Sequence, residues 1–168
     1  ASGVNPLDTK IRAGKAGHAQ QPLPAVLGVD MAGVVEEVGA GVTTFRPGDE
    51  VYGMVGGVGG HQGTLAEYVA ADALLLALKP KTFSMREAAA MPLVTITAWE
   101  GIVDRANVHE GQKVLVHAGA GGVGHIAVQL AKAMGAEVTG VCRGSKAEHV
   151  LALGADRVVD YESDDFTA

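Results

Sequence analysis

The stretch that decides the fold is Lys113–Gly124, KVLVHAGAGGVG. Lys113–His117 is a short apolar run of strand type, and Gly119, Gly121 and Gly124 stand in G-x-G-x-x-G spacing directly behind it. Residues 122–134 carry apolar positions at helical spacing, so the pattern predicts strand, tight turn and helix. Gly119 permits the sharp turn, Gly121 lets a pyrophosphate approach the backbone, and Gly124 lets the helix pack on the strand. Gly122 and Val123 complete a turn whose N–H groups and helix dipole favour phosphate. Downstream, Glu137–Cys142 predicts a second strand, Lys146–Leu153 a second helix and Arg157–Asp160 a third strand. This is the first half of a Rossmann doubly wound parallel sheet, with right-handed crossovers expected.

Upstream the texture is different. Val29–Val38, Glu50–Val55, Thr64–Ala71 and Leu74–Leu78 read as strands, with the turn signal RPGD at 46–49. Ser84 with Glu87 forms a capping-box pattern that opens a helix, and a second helix is expected over Val94–Arg105 after Pro92. The fold class is therefore α/β with a β-rich N-terminal part. Of the 24 glycines, 13 lie between 53 and 63 or between 119 and 144, where they serve tight backbone geometry.

Composition narrows the function. Of 168 residues, 48% are apolar and 19% charged, enough for a packed core. Thirteen Lys+Arg against 19 Asp+Glu give a net charge of −6, which argues against a nucleic-acid partner. The single cysteine, Cys142, excludes an internal disulfide and a Cys-rich zinc site. No apolar run is long enough to span a membrane, and a cytoplasmic location is expected.

The end of the second strand bears on the cofactor. An NAD site places Asp or Glu there for the ribose 2′-OH. Here the strand ends Cys142-Arg143-Gly144-Ser145-Lys146, with two cations and a hydroxyl but no carboxylate. Arg143, Ser145 and Lys146 are suited to a 2′-phosphate, so NADPH is the expected cofactor. A short-chain dehydrogenase is disfavoured, because no tyrosine has a lysine four residues later.

Seven stretches together resemble the medium-chain dehydrogenase/reductase superfamily, in its zinc-lacking quinone oxidoreductase branch. They are ASGVNPLDTKIRAG (1–14), LGVDMAGVVEEVGAGV (27–42), FRPGDEVYG (45–53), GTLAEYV (63–69), PLVTITAW (92–99), the 119–124 turn with VQLAK (128–132), and LGADRVVDY (153–161). The resemblance implies an incomplete GroES-like β-barrel catalytic domain over 1–92, a connecting helix over 93–110 and a partial Rossmann domain over 111–168. The family's active site lies between its two domains. On this reading the chain is an internal fragment, inactive in isolation, of a protein that forms a homodimer. Zinc-dependent relatives hold catalytic metal at positions that here read Asn5, Val29 and Leu93, so no metal site is expected. The resemblance places Asn5 and Thr97 at the nicotinamide end and Tyr161 near the 2′-phosphate. It implies hydride transfer from NADPH to a small-molecule electron acceptor, a quinone or an α,β-unsaturated carbonyl. The alternative is a non-catalytic, crystallin-like NADPH-binding protein. His117, His125 and Cys142 read as structural, and His61 lies in a glycine run that looks mobile.

Overall fold

The computed structural model describes residues 1–164, which divide into two compact units, Ala1–Leu93 and the described residues from Val94 onward.

In the first unit, helix α1 (Pro6–Arg12) is followed by strand β1 (Asp30–Val34), strand β2 (Glu50–Met54) and a two-residue strand β3 (Ala77–Leu78). The three strands form one antiparallel sheet in the order β1-β2-β3, with Ala32 opposite Tyr52 and Tyr52 opposite Ala77. Ser2 adds a bridge to Met31, so the start of the chain runs along β1 as a strand end would. Helix α2 (Met85–Ala89) carries the expected capping box between Ser84 and Glu87 and packs Ala88 and Ala89 against Ala32.

Several sequence expectations are corrected here. Helix α1 was not foreseen, although Asn5 before Pro6 and Asp8 in the first turn are helix-start signals. Strand β1 stops at Val34, short of Val38. Thr64–Ala71 forms no strand among the described residues. Thr64 and Leu65 donate backbone bonds to Gly28 and Leu27, and then Leu65 and Tyr68 lie exposed instead of alternating against a partner. Within Leu74–Leu78 only Ala77–Leu78 is strand; Leu74 and Leu75 lie in a 3₁₀ turn, Ala73–Leu75, capped by the Asp72 carboxylate.

The glycine run at 56–63 is not a loose loop. Gln21 bridges it by donating from Nε2 to the His61 carbonyl at 2.9 Å and accepting the Gly60 N–H at 2.9 Å. A Cβ on Gly63 would fall 2.3 Å from the Leu27 carbonyl, so glycine is required by the backbone-to-backbone approach.

The second unit follows the sequence closely. Helix α3 (Pro92–Trp99), which begins at the end of the first unit, widens into a π-helical turn over Glu100–Arg105. Strands β4 (Lys113–Val116), β5 (Glu137–Cys142) and β6 (Arg157–Asp160) form a parallel sheet in that order. Helix α4 (Gly122–Ala133) and helix α5 (Ala147–Ala152) connect them. Val128 of α4, Val138 of β5 and Val150 of α5 are fully buried and form the centre of this layer. The helix expected from Lys146 begins one residue later, after a 3₁₀ turn over Gly144–Lys146.

Candidate functional site

Two groups of polar residues stand out, one in each unit. In the second unit, the backbone turns from β4 into α4 through Ala118, which is held at φ 53°. That left-handed conformation is costly for a residue with a Cβ, and the surrounding bonds hold it in place. Gly119 N–H donates to Val141 O at 2.9 Å and Gly121 N–H to Ala118 O at 2.8 Å. Gly121 is the N-cap of α4. The N–H groups of Gly122, Val123 and Gly124 occupy the first helical turn, where no intrahelical acceptor exists, and they suit phosphate oxygens. His125 donates from Nδ1 to the Gly121 carbonyl at 3.1 Å, which gives it a structural role in the turn.

Beyond β5, Arg143, Ser145 and Lys146 are exposed around the 3₁₀ turn. Arg143 Nε donates to the Tyr161 hydroxyl at 3.0 Å and also lies 3.0 Å from Glu162 Oε1. The Tyr161 bond first, and then the charge of Glu162, hold the guanidinium further toward its charged form. The sequence reading found Tyr161 only through resemblance, and it missed two acids. Glu162 pairs with Arg143, and Asp160 at the end of β6 folds against the 3₁₀ turn. There a Cβ on Gly144 would meet Asp160 Oδ2 at 2.5 Å. A carboxylate therefore does approach this strand end, from the neighbouring strand. It is engaged locally, because Asp160 Oδ1 accepts the Glu162 N–H at 3.1 Å. Cys142 is buried, and burial followed by the Asp160 charge pushes its thiol up, away from a nucleophilic thiolate.

In the first unit, Asp30 is fully buried at the start of β1. Its Oδ2 accepts from Asn5 Nδ2 at 2.9 Å, and its Oδ1 accepts the Leu93 backbone N–H at 3.0 Å. Burial pushes its pKa up from 3.8 to about 6; the two hydrogen bonds oppose that rise and the nearby Asp8 charge adds to it. Asp8 is also buried. Its Oδ2 accepts the Asn5 backbone N–H at 2.7 Å, while its Oδ1 has no hydrogen-bond partner among the described residues. Asn5 is thus both the N-cap of α1 and a donor to Asp30. In the sequence Asp30 is the one charge that interrupts the apolar run 25–35, a signal of burial that carries no role by itself. Thr97 lies on α3 and is exposed.

This donor set does not suit a zinc ion. Val29 and Leu93 carry no side-chain donor atom, and the Asn5 amide, a poor zinc ligand, turns its nitrogen to Asp30. Among the described residues no three His, Cys, Asp or Glu side chains gather in a metal-binding group. No described helix is long and apolar enough to cross a membrane.

Comparison with known proteins places both parts of the chain in known families. Residues 1–81 match the alcohol dehydrogenase GroES-like domain, and residues 122–168 match the zinc-binding dehydrogenase family. A 2-methylene-furan-3-one reductase of Solanum lycopersicum is 44% identical over 99% of this chain and 44% of its own length. An NADPH-dependent alkenal/one oxidoreductase of Arabidopsis thaliana chloroplasts is 45% identical over 96% of this chain and 43% of its own. An alcohol dehydrogenase superfamily protein from Novosphingobium aromaticivorans superposes with a TM-score of 0.93 at 59% identity, over 96% of this chain and 48% of that one. The chain spans a little under half the length of the curated relatives it matches. With both of its parts matched in order, and with the sheet, turn and α/β layering of the fold in place, the chain belongs to the medium-chain dehydrogenase/reductase superfamily.

Proposed function

We propose that the protein carrying this chain is a zinc-independent oxidoreductase that reduces α,β-unsaturated carbonyl compounds or quinones with NADPH. In this reading residues 1–92 belong to the catalytic domain, 93–110 connect, and 111–168 bind the dinucleotide. Gly119, Gly121, Gly122, Val123 and Gly124 take the pyrophosphate, and Arg143, Ser145, Lys146 and Tyr161 take the 2′-phosphate. Asn5 and Thr97 serve the nicotinamide end, each with a side-chain donor. A cytoplasmic homodimer is part of the same proposal.

What supports it is that the positions which the resemblance assigns to catalytic metal read Asn5, Val29 and Leu93, two of them without a side-chain donor atom, and that the Asn5 amide nitrogen is held by Asp30. Oxidising an alcohol needs a Lewis acid or strong base to form the alkoxide, whereas an enone is already electrophilic at its β-carbon. NADPH, when held by the Gly119–Gly124 turn and Arg143, would supply the hydride that an enone accepts at its β-carbon, with the balancing proton drawn from solvent. The task left to the protein is to position the reactants and exclude water. The two plant relatives support an enone ahead of a quinone, since both are named for reductions of that class.

The test is turnover of the intact protein after exhaustive chelation. NADPH oxidation with a simple enone is expected to stay within about twofold of the untreated rate, without stoichiometric zinc. Loss of activity on chelation, restored by zinc alone, would overturn the assignment.

A further inference from the structure

We propose that Asp30 is a positioning residue: its carboxylate, anchored by the Leu93 backbone N–H, fixes the side-chain amide of Asn5 with Nδ2 turned toward Asp30. The inference rests on the placement of Asn5 at the nicotinamide end given above, and goes beyond it in naming what orients that amide.

A carboxylate accepts hydrogen bonds and donates none, so only the Nδ2 end of Asn5 can face it. Asp30 receives one donor on each oxygen, at 2.9 Å and 3.0 Å. Asn5 is constrained from its other side as well, since its backbone N–H is held by Asp8 Oδ2. One Nδ2 hydrogen is spent on Asp30, and the second is the donor that remains for a ligand. The arrangement is strongest while Asp30 is ionised, since a carboxylate accepts at both oxygens and donates at neither. A protonated Asp30 keeps acceptor capacity but loses its charge, which weakens both bonds, and its O–H becomes a donor that an Asn5 amide turned to present Oδ1 can accept.

The surroundings make this protonation accessible near neutral pH. Asp30 has no exposed surface, and the charged group that acts on its carboxyl is Asp8, itself negative. The other charged residues of the adjoining elements, Lys10 and Arg12 of α1, Glu50 of β2, and Arg86 and Glu87 of α2, are all exposed. Gly3 N–H and the Thr64 hydroxyl bond the Asp30 backbone carbonyl, and Ala89 lies across Gly3. Burial and Asp8 both favour the neutral acid, and the value of about 6 places the transition inside an accessible range. A buried aspartate that merely fills space would couple to none of this.

The test reads the amide directly. In the intact protein, the Asn5 side-chain ¹⁵N–¹H resonances are expected to shift with a midpoint near 6. In Asp30→Asn that shift should vanish. An amide at position 30 has one acceptor for two donors, so it cannot reproduce the wild-type pattern. If Asp30→Asn does not fold, Asp8→Asn provides the second arm, because removing that negative charge should lower the wild-type midpoint. Turnover gives an independent reading: kcat should fall about tenfold from about pH 7.5 to about pH 5 while KM for NADPH changes less than about threefold. Asn5 resonances that stay constant across that range, or that titrate equally in Asp30→Asn, would overturn the proposal. Absence of turnover with every acceptor would overturn the oxidoreductase reading instead, and the resonance titration would still decide the role of Asp30.

Discussion

Gly124→Ala is expected to destabilise the second unit by about 3 kcal/mol and to abolish dinucleotide binding. The added Cβ would lie 2.0 Å from the Ala118 carbonyl oxygen, 2.8 Å from its carbon and 3.0 Å from Gly119 Cα. All three are backbone atoms, so no rotamer change relieves the overlap. Ala118 is already held at φ 53° and has little freedom to yield. The helix would have to lift from the strand, and the first-turn N–H groups would lose their alignment. Gly122→Ala is the matched control. Its Cβ would meet a flexible methyl, Val94 Cγ1, at 3.4 Å, an ordinary contact, and alanine is the better helix former. Thermal unfolding of the two variants should separate them clearly. Equal melting temperatures would mean that the turn is not packed as described.

The second large effect concerns cofactor choice. Arg143→Ala should weaken NADPH binding by about 10- to 100-fold and change NADH binding by less than about twofold, the difference being one charge-assisted contact to the 2′-phosphate. Arg143 is favoured over Lys146 for this test because Tyr161 and Glu162 hold its guanidinium in place. Tyr161→Phe should give a smaller loss in the same direction, since it removes the orienting hydroxyl and leaves the charge. Titration calorimetry with both dinucleotides checks the pattern. Equal losses for NADPH and NADH would place the 2′-phosphate elsewhere.

The dinucleotide half was legible because its chemistry is local. The spacing of Gly119, Gly121 and Gly124 after an apolar strand describes one continuous turn, and strand, turn and helix appeared within a residue or two of their expected bounds. The β-rich half was legible only in outline. Its glycines answer to distant backbone, as Gly63 does to Leu27, and nothing within the run 56–63 announces that partner. The Thr64–Ala71 alternation looked like a strand, but pairing depends on a neighbour that local sequence does not name. The same limit hid the acids. Asp160 and Glu162 reach the Arg143 turn across a parallel sheet from 17 and 19 positions further along the chain. Asp30 reaches Asn5 and Leu93 across 25 and 63 positions.

The proposed function requires hydride delivery from NADPH to the β-carbon of an enone without a metal. The most direct measurement uses chelated intact protein, NADPH deuterated stereospecifically at C4 and a simple enone, followed by mass and NMR analysis of the product. The account predicts one deuteron per product molecule, located at the β-carbon when the correct C4 isotopomer is used, with the α-hydrogen drawn from solvent. Deuterium at the carbonyl carbon, or turnover that appears only after zinc is added, would contradict it.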